Sequence, residues 1–326
     1  MIRLYLAPME EVTGYVFRNV INRHFGHIDR FYTPFISPDN RITKTRSAGE
    51  LLNANNEGMD VVPQILTNDS EKFNEAAGLI ADMGYKEINI NLGCPSNTVC
   101  SKFRGSGILR VPESLDRFLD GVFNGEDSIF RRYPDFRISA KMRVGYRDTD
   151  EFSDVASVMN RYPFSEMIVH PRLKSDMYSG KPRMDMFDRA CKELTAPISY
   201  NGDITGPEGY EAIAGKYESR ITGVMIGRGA VADPGIFRQI RTGERMTADE
   251  LYDFLNDLYE SYRQHLSAEN AVSKLKEVWS YTVSLIEDEK ERARVFKTII
   301  KSRGEAEYKD AMLAAKRKIM QGIRFM

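Results

Sequence analysis

Short apolar runs alternate with amphipathic stretches through the first three quarters of the chain. The runs that predict strands are Arg3–Ala7, Phe31–Ser37, Val61–Leu66, Glu87–Asn91, Arg137–Arg143, Met167–His170, Ile198–Asn201 and Gly223–Ile226. Several of them, including Met167–His170, are continuous rather than alternating, as parallel strands buried on both faces require. Between them apolar positions recur at helical spacing. One predicted helix begins at the N-cap pair Asn68–Asp69, turns Phe73, Ala76, Ala77, Ile80 and Met83 inward, and stops at Gly84. Pro112 opens another, with Leu115, Phe118, Leu119 and Val122 on one face.

Eight strand–helix units in roughly 245 residues match the size of a (β/α)8 barrel, about 250 residues. A doubly wound sheet would start with a Gly-rich turn, and no G-x-G-x-x-G follows any strand; no P-loop motif occurs either. The predicted fold is therefore a TIM barrel over residues 1–246, followed by a smaller all-helical domain over 247–326. From Thr247 strand signals vanish and no proline remains. Charge is polarised there: residues 247–289 hold 3 basic and 10 acidic side chains, and 290–326 hold 11 basic and 4 acidic. Lys290, Arg294, Lys297 and Lys301 share one helical face, which reads either as solvated surface or as a phosphate-binding stripe.

The 326 residues carry 46 Lys+Arg against 47 Asp+Glu, a net charge of −1 that excludes bulk coating of nucleic acid and leaves room for a local basic face. No apolar stretch approaches the ~20 residues of a membrane span, so no membrane partner is expected. The start, MIRLYLAPMEEV, does not read as a signal peptide. Three cysteines, Cys94, Cys100 and Cys191, make no disulfide framework and point to a cytoplasmic protein. No C-x-x-C or H-E-x-x-H occurs, and the His24–His27 pair has no cysteine near it, so no metal site is expected. None of the four histidines, at 24, 27, 170 and 265, has an evident carboxylate partner in sequence. No obligate protein partner is evident.

Function in a barrel sits at the C-terminal strand ends. These carry Ala7-Pro8-Met9, Gln64, Asn91 with Cys94, Lys141 with Arg143, His170, Asn201-Gly202-Asp203 and Gly227-Arg228. The last two sets lie where barrels often hold a phosphate, with small residues that let the backbone approach an anion. Lys141 is a Schiff-base lysine, an anion contact or a solvent-facing lysine. It shares a strand face with Arg143, and two such cations disfavour one another unless an anionic ligand lies between them. His170 is a satisfied buried histidine or a ligand contact. Cys94 is a small buried hydrophobe or, beside the polar loop Ser96 to Gly107, an exposed reactive thiol.

As an ordered set these strand ends resemble the tRNA-dihydrouridine synthase family. The matching residues are APM (7–9) with Phe17 and Arg18, Gln64, NLGCPS (91–96), Gly105 to Leu109, and KMR (141–143). HPR (170–172) follows with Tyr178 and Gly180, then NGD (201–203) and IGRGA (226–230) with Pro234 and Phe237. The match runs from residue 4 to about 240, and the helical tail agrees in kind. The resemblance implies FMN in the barrel mouth, reloaded by NADPH or NADH, and a tail that grips tRNA. Pro8 and Met9 would cover the flavin ring, Gln64 its pyrimidine edge, and Lys141 and His170 its polar edge. Asn201, Gly202, Asp203, Gly227 and Arg228 would hold the ribityl phosphate. Cys94 would be the general acid, Asn91, Arg143 and Tyr178 would surround a flipped uridine, and Arg294 and Lys297 would contact tRNA. Against this stand a flavin-dependent TIM-barrel reductase of a small molecule, such as a free pyrimidine or an enoate, and an RNA-binding protein without catalysis. Glu10 to Gly14 departs from the Gly-Val-Thr-Asp stretch common in the family.

Overall fold

The computed structural model describes residues 1–38 and 47–322. Its strands are β1 (Arg3–Leu6), β2 (Arg30–Tyr32), β3 (Val61–Val62), β4 (Gln64–Ile65), β5 (Glu87–Leu92), β6 (Arg137–Arg143), β7 (Met167–His170), β8 (Ile198–Asn201) and β9 (Ile221–Ile226). All pair in parallel, in the order β3-β2-β1-β9-β8-β7-β6-β5-β4. β3 and β4 are halves of the one strand expected over Val61–Leu66. Pro63 divides them because it has no N–H for the ladder, although its carbonyl still accepts from Asn89 N at 2.8 Å. β3 bonds β2 and β4 bonds β5, so the two sheet ends meet at Pro63 and close an eight-stranded barrel. β2 is shorter than the expected Phe31–Ser37. The chain leaves the ladder before Pro34, which lacks a donor, and returns in a single bridge from Ile36 to Ile65.

Helix Ser70–Asp82 starts at the cap predicted for it: Asp69 accepts from Lys72 N at 3.1 Å, and Gly84 takes φ +98° beyond its end. Pro112–Phe123 buries Leu115, Phe118, Leu119 and Val122. With Glu151–Met159 and Met184–Glu193 these helices pack side by side in chain order.

Two compact units make up the chain. The first comprises Met1–Pro8, Asp29–Asp203 and Ala212–Met225, and carries all of the sheet but Ile226. Tyr5, Ala7, Tyr32, Val62, Ile168 and Met225 form a buried cluster within it. The second comprises Met9–Ile28, Ile204–Glu211 and Ile226–Met326. There Phe254, on helix Ala248–Arg263, is ringed by Phe17, His24 and Phe25 at centroid distances of 5.8, 5.9 and 5.6 Å. Asp257, nearly one turn on, pairs with Arg23 and with His24 Nε2, both at 2.9 Å. Sequence spacing gave His24 no carboxylate partner because this one stands 233 residues away. Trp279, fully buried, gives its indole N–H to Tyr308 Oη at 3.1 Å. Residues 323–326 of the expected helical region lie outside the described residues.

Candidate active site at the C-terminal ends of the strands

Parallel register sets the inward side chains in rows. Gln64 stands beside Asn89, Asn91 beside Lys141, Lys141 beside Ile168, and Arg143 beside His170. Gln64 is fully buried and fixed at both ends of its amide: Nε2 donates to Asn89 Oδ1 at 2.8 Å, and Oε1 accepts from Asn91 Nδ2 at 2.7 Å. Asn89 in turn donates to Ser139 Oγ at 3.0 Å. Asn91 Oδ1 accepts the backbone N–H groups of Gly93 and Cys94, at 3.1 and 2.9 Å. The Asn91 side chain thus shapes the turn that presents Cys94. Asn89 was not among the expected site residues. Its signal was the period-two Asn-Ile-Asn of β5, which puts both amides on the interior face.

Cys94 is half-buried. Its carbonyl accepts from Ser106 N at 3.1 Å and Ser106 Oγ at 2.8 Å, so the loop that follows folds back onto it. A side chain at Gly105 (φ +57°) would approach the Cys94 carbonyl to 2.8 Å. Burial pushes the Cys94 thiol up, against the smaller opposing pull of the Ser96 N–H. At neutral pH this favours the protonated thiol over the thiolate.

Lys141 is pushed down to about 8, by burial first and by Arg143 second. Among the described residues its ammonium forms no hydrogen bond or ion pair. Arg143, 1% exposed, is lowered to about 10 chiefly by burial. Its guanidinium spans three backbone carbonyls: Gly93 at 3.0 Å, Leu173 at 2.7 Å and Met177 at 2.6 Å. It lies 5.6 Å from the ring centroid of Tyr178, which is 57% exposed. Arg143 therefore ties the loops after β5 and β7 together beneath an exposed aromatic ring.

His170 is buried, with Nε2 3.0 Å from Arg172 Nη1. Arg172, which had no assigned role, forms a two-pronged pair with Asp203 at 2.9 and 2.5 Å and also bonds the carbonyls of Ser179 and Gly180. A carboxylate so engaged anchors its loop; repulsion makes it a poor direct phosphate ligand. Asn201 Nδ2 donates to the Met225 carbonyl at 2.9 Å. A side chain at Gly202 would strike the Tyr200 hydroxyl at 2.0 Å. Pro8 ends the first segment of this unit, half-buried.

In the second unit Met9 opens a turn in which its N–H bonds Thr13 Oγ1 at 2.7 Å. Within the departing stretch, Glu11 takes φ +65° and accepts from Lys274 Nζ at 2.5 Å. Gly227 precedes the short helix Arg228–Ala232, and a side chain at Gly229 would meet the Ile204 carbonyl at 2.0 Å. Arg294 and Lys297 are exposed on helix Glu289–Lys301, away from its buried Val295 and Ile299. Among the described residues no group of three or more His, Cys, Asp or Glu is placed to hold a metal, and no helix is long and apolar enough to cross a membrane.

Cations and a protonated thiol gathered at the C-terminal strand ends of a closed barrel define a (β/α)8-barrel enzyme. Solved structures share the fold. Morphinone reductase superposes with a TM-score of 0.54 at 12% identity, covering 75% of this chain and 86% of its own. The old yellow enzyme from Trypanosoma cruzi gives 0.52 at 10%, covering 75% and 89%. The dihydrouridine synthase (Dus) family model matches residues 5–321, and the chain belongs to that family of oxidoreductases. It is similar to tRNA-dihydrouridine synthase B of Pseudomonas putida, with 30% identity over 276 residues, covering 82% of this chain and 76% of that one. The tRNA-dihydrouridine(16) synthase of Aquipseudomonas alcaligenes is 28% identical over 288 residues, covering 84% and 88%.

Proposed function

We propose that this enzyme reduces the C5=C6 bond of specific uridines in tRNA to 5,6-dihydrouridine, with FMN as resident cofactor, NAD(P)H as reductant and Cys94 as proton donor. The observation that carries the reading is Cys94, a thiol kept protonated by burial on a turn pinned by Asn91. The names of the relatives supply the substrate class.

The interior fits a flavin. Lys141 is a cation with no hydrogen-bond or ion-pair partner among the described residues, and an electron-rich ring edge would satisfy it. Gln64 is held rigid by its amide neighbours, set for the pyrimidine edge of the ring. When bound, FMN supplies the hydride that reaches C6 of the base, and NAD(P)H restores it. Cys94 gives its Sγ proton to C5, and the thiolate left behind takes a proton back from solvent. His170 contacts the polar edge of the ring, and Pro8 and Met9 cover its face through their backbone. Asn201 and Gly202 are the phosphate contacts proposed for the first unit, and Gly227 and Arg228 those proposed for the second; Asp203 contributes by anchoring Arg172. Asn91 and Arg143 position the loops around the target uridine, and Tyr178 offers it an exposed ring. Residues 247–326 grip tRNA, with Arg294 and Lys297 on the contact face.

The test uses purified protein loaded with FMN and tRNA from cells lacking this gene. Wild type should form dihydrouridine in tRNA but none in free uridine. Cys94→Ala should lose about 10²-fold or more of product formation while NADPH still reduces its flavin. Absence of dihydrouridine with FMN-loaded wild type, or undiminished product with Cys94→Ala, would refute the assignment. Reversing the charges of Arg294 and Lys297 together should weaken tRNA binding and flatten its salt dependence.

A further inference from the structure

The segment that follows Cys94 carries more than the catalytic turn needs. From Cys94 to Val111 the chain holds three cations, Lys102, Arg104 and Arg110, and no acidic residue. Within it Phe103 is 40% exposed and sits at φ +55°, a conformation that bulky residues rarely adopt and that tends to persist at functional sites. A Phe side chain held in water by a strained backbone is not there for the core.

Its surroundings are cationic and aromatic. The Arg110 guanidinium lies 3.7 Å from the Phe103 ring centroid and 5.3 Å from that of Tyr146. Arg147 and Lys174 approach the same Tyr146 ring at 5.9 and 5.4 Å. Lys174 Nζ also donates to Asn97 Oδ1 at 2.7 Å, three residues beyond Cys94, which joins the patch to the catalytic turn. Phe103 further lines a groove of about 620 Å³ with Asn68, Asp69, Glu71, Arg117 and Phe118, a cleft of mixed charge whose acceptors suit the amino edge of a base rather than a phosphate. An exposed ring, Phe103, beside the half-buried Tyr146 and flanked by arginine and lysine is the chemistry that holds unpaired nucleotides: rings stack on bases and cations take phosphates.

We propose that the Phe103–Tyr146 surface is a second RNA contact of this enzyme, a stacking platform for the unpaired nucleotides next to the one presented to Cys94. The inference rests on the tRNA reading above and adds a place on the catalytic unit where the strand is held. One nucleobase stacks on Phe103 at the mouth of the groove, and flanking phosphates meet Lys102 and Arg147. Sequence selection in the loop then begins at this platform.

The test measures affinity of FMN-loaded enzyme for unmodified tRNA across a salt series. Phe103→Ala should weaken binding about tenfold, the scale of one lost base stack, without changing the slope of log K against log salt. Phe103→Trp should restore affinity. Lys102→Gln with Arg147→Gln should instead flatten the slope by about one to two. Bound FMN and melting temperature report whether each variant is folded. Unchanged affinity in Phe103→Ala overturns the proposal, as does a loss that Phe103→Trp does not repair. If wild type makes dihydrouridine and Phe103→Ala binds normally, this platform alone is wrong; if wild type makes none in tRNA, the tRNA reading fails and takes the platform with it.

Discussion

The two ends of the barrel treat charge in opposite ways. At the N-terminal end each interior carboxylate has a cationic partner, although Glu87 Oε1 and Glu166 Oε2 are buried without a hydrogen bond. Glu166 Oε1 accepts from Tyr5 Oη, Ser199 Oγ and Thr222 Oγ1 at 3.0, 2.5 and 2.6 Å, with Arg3 at 3.7 Å. Glu87 takes Arg30 at 3.0 Å and Arg137 at 3.2 Å, and Arg30 also pairs with Asp60 at 2.8 Å. Three cations face three carboxylates there. At the C-terminal end Arg172 takes Asp203 and Arg183 takes Asp176, while Arg143 is left to backbone carbonyls and Lys141 to no hydrogen bond or ion pair among the described residues. One end pairs its charges within the fold. The other keeps a surplus of positive charge, a setting that favours an electron-rich ligand.

If that contrast is right, removing a charge should cost stability at the base and give it back at the mouth. The largest effect is expected for Glu166→Ala, which strands three hydroxyls without their acceptor. Urea unfolding should show a loss of about 3–5 kcal/mol, with undiminished turnover per folded molecule. A loss below about 1 kcal/mol would mean that the base does not depend on this hub.

Lys141→Met should act in the opposite direction. In the apoprotein it replaces a half-buried cation without hydrogen-bond or ion-pair partners among the described residues by an apolar chain of similar length, a gain of about 1–2 kcal/mol. FMN affinity should fall in the same variant. The pH dependence follows from a folded value near 8 against an unfolded one near 10.5. The native state sheds this proton first, so on this account apoprotein stability rises as pH climbs from about 8 to 10.5. FMN affinity should decline over the pH range around 8 in wild type and lose that dependence in Lys141→Met. A less stable apoprotein in the variant would place the lysine among the structural charges instead.

The order of the strands and the fold class were legible because parallel strands write continuous apolar runs, and the residues at their ends followed directly. Less legible was what those residues bond. Asn91 and Arg143 read as neighbours of a ligand, whereas each is engaged with backbone groups of loops that approach only in the folded barrel. Arg172 was quoted within HPR without a role, since its partner Asp203 lies 31 residues on. Pro63 was visible, yet a proline inside a strand does not announce that it marks the closing seam. The helical region after Thr247 was legible as such, but not that Phe254 within it meets Phe17 and Phe25 from the other end of the chain.

The smallest effect is expected at an ion pair that belongs to neither end of the barrel. Glu250, in the second unit, completes a capping box with Thr247 and takes Arg238 in two bonds, at 2.7 and 2.9 Å. The Arg238 guanidinium holds its carboxyl down at about 2. The fold favours the ionised form, so the contribution is complete above the usual carboxylate range, near 4.5, and drains away as pH falls towards 2. The pair is partly exposed, so solvent screening keeps its worth under about 1 kcal/mol. Melting curves of wild type and Glu250→Gln should therefore differ by a small margin at pH 7, converge below pH 4 and coincide near pH 2. A gap that stays constant across that range would assign the difference to the lost cap geometry rather than to charge. The surplus at the barrel mouth would then stand as the feature of this molecule in which charge itself, rather than hydrogen-bond geometry, carries the larger consequence.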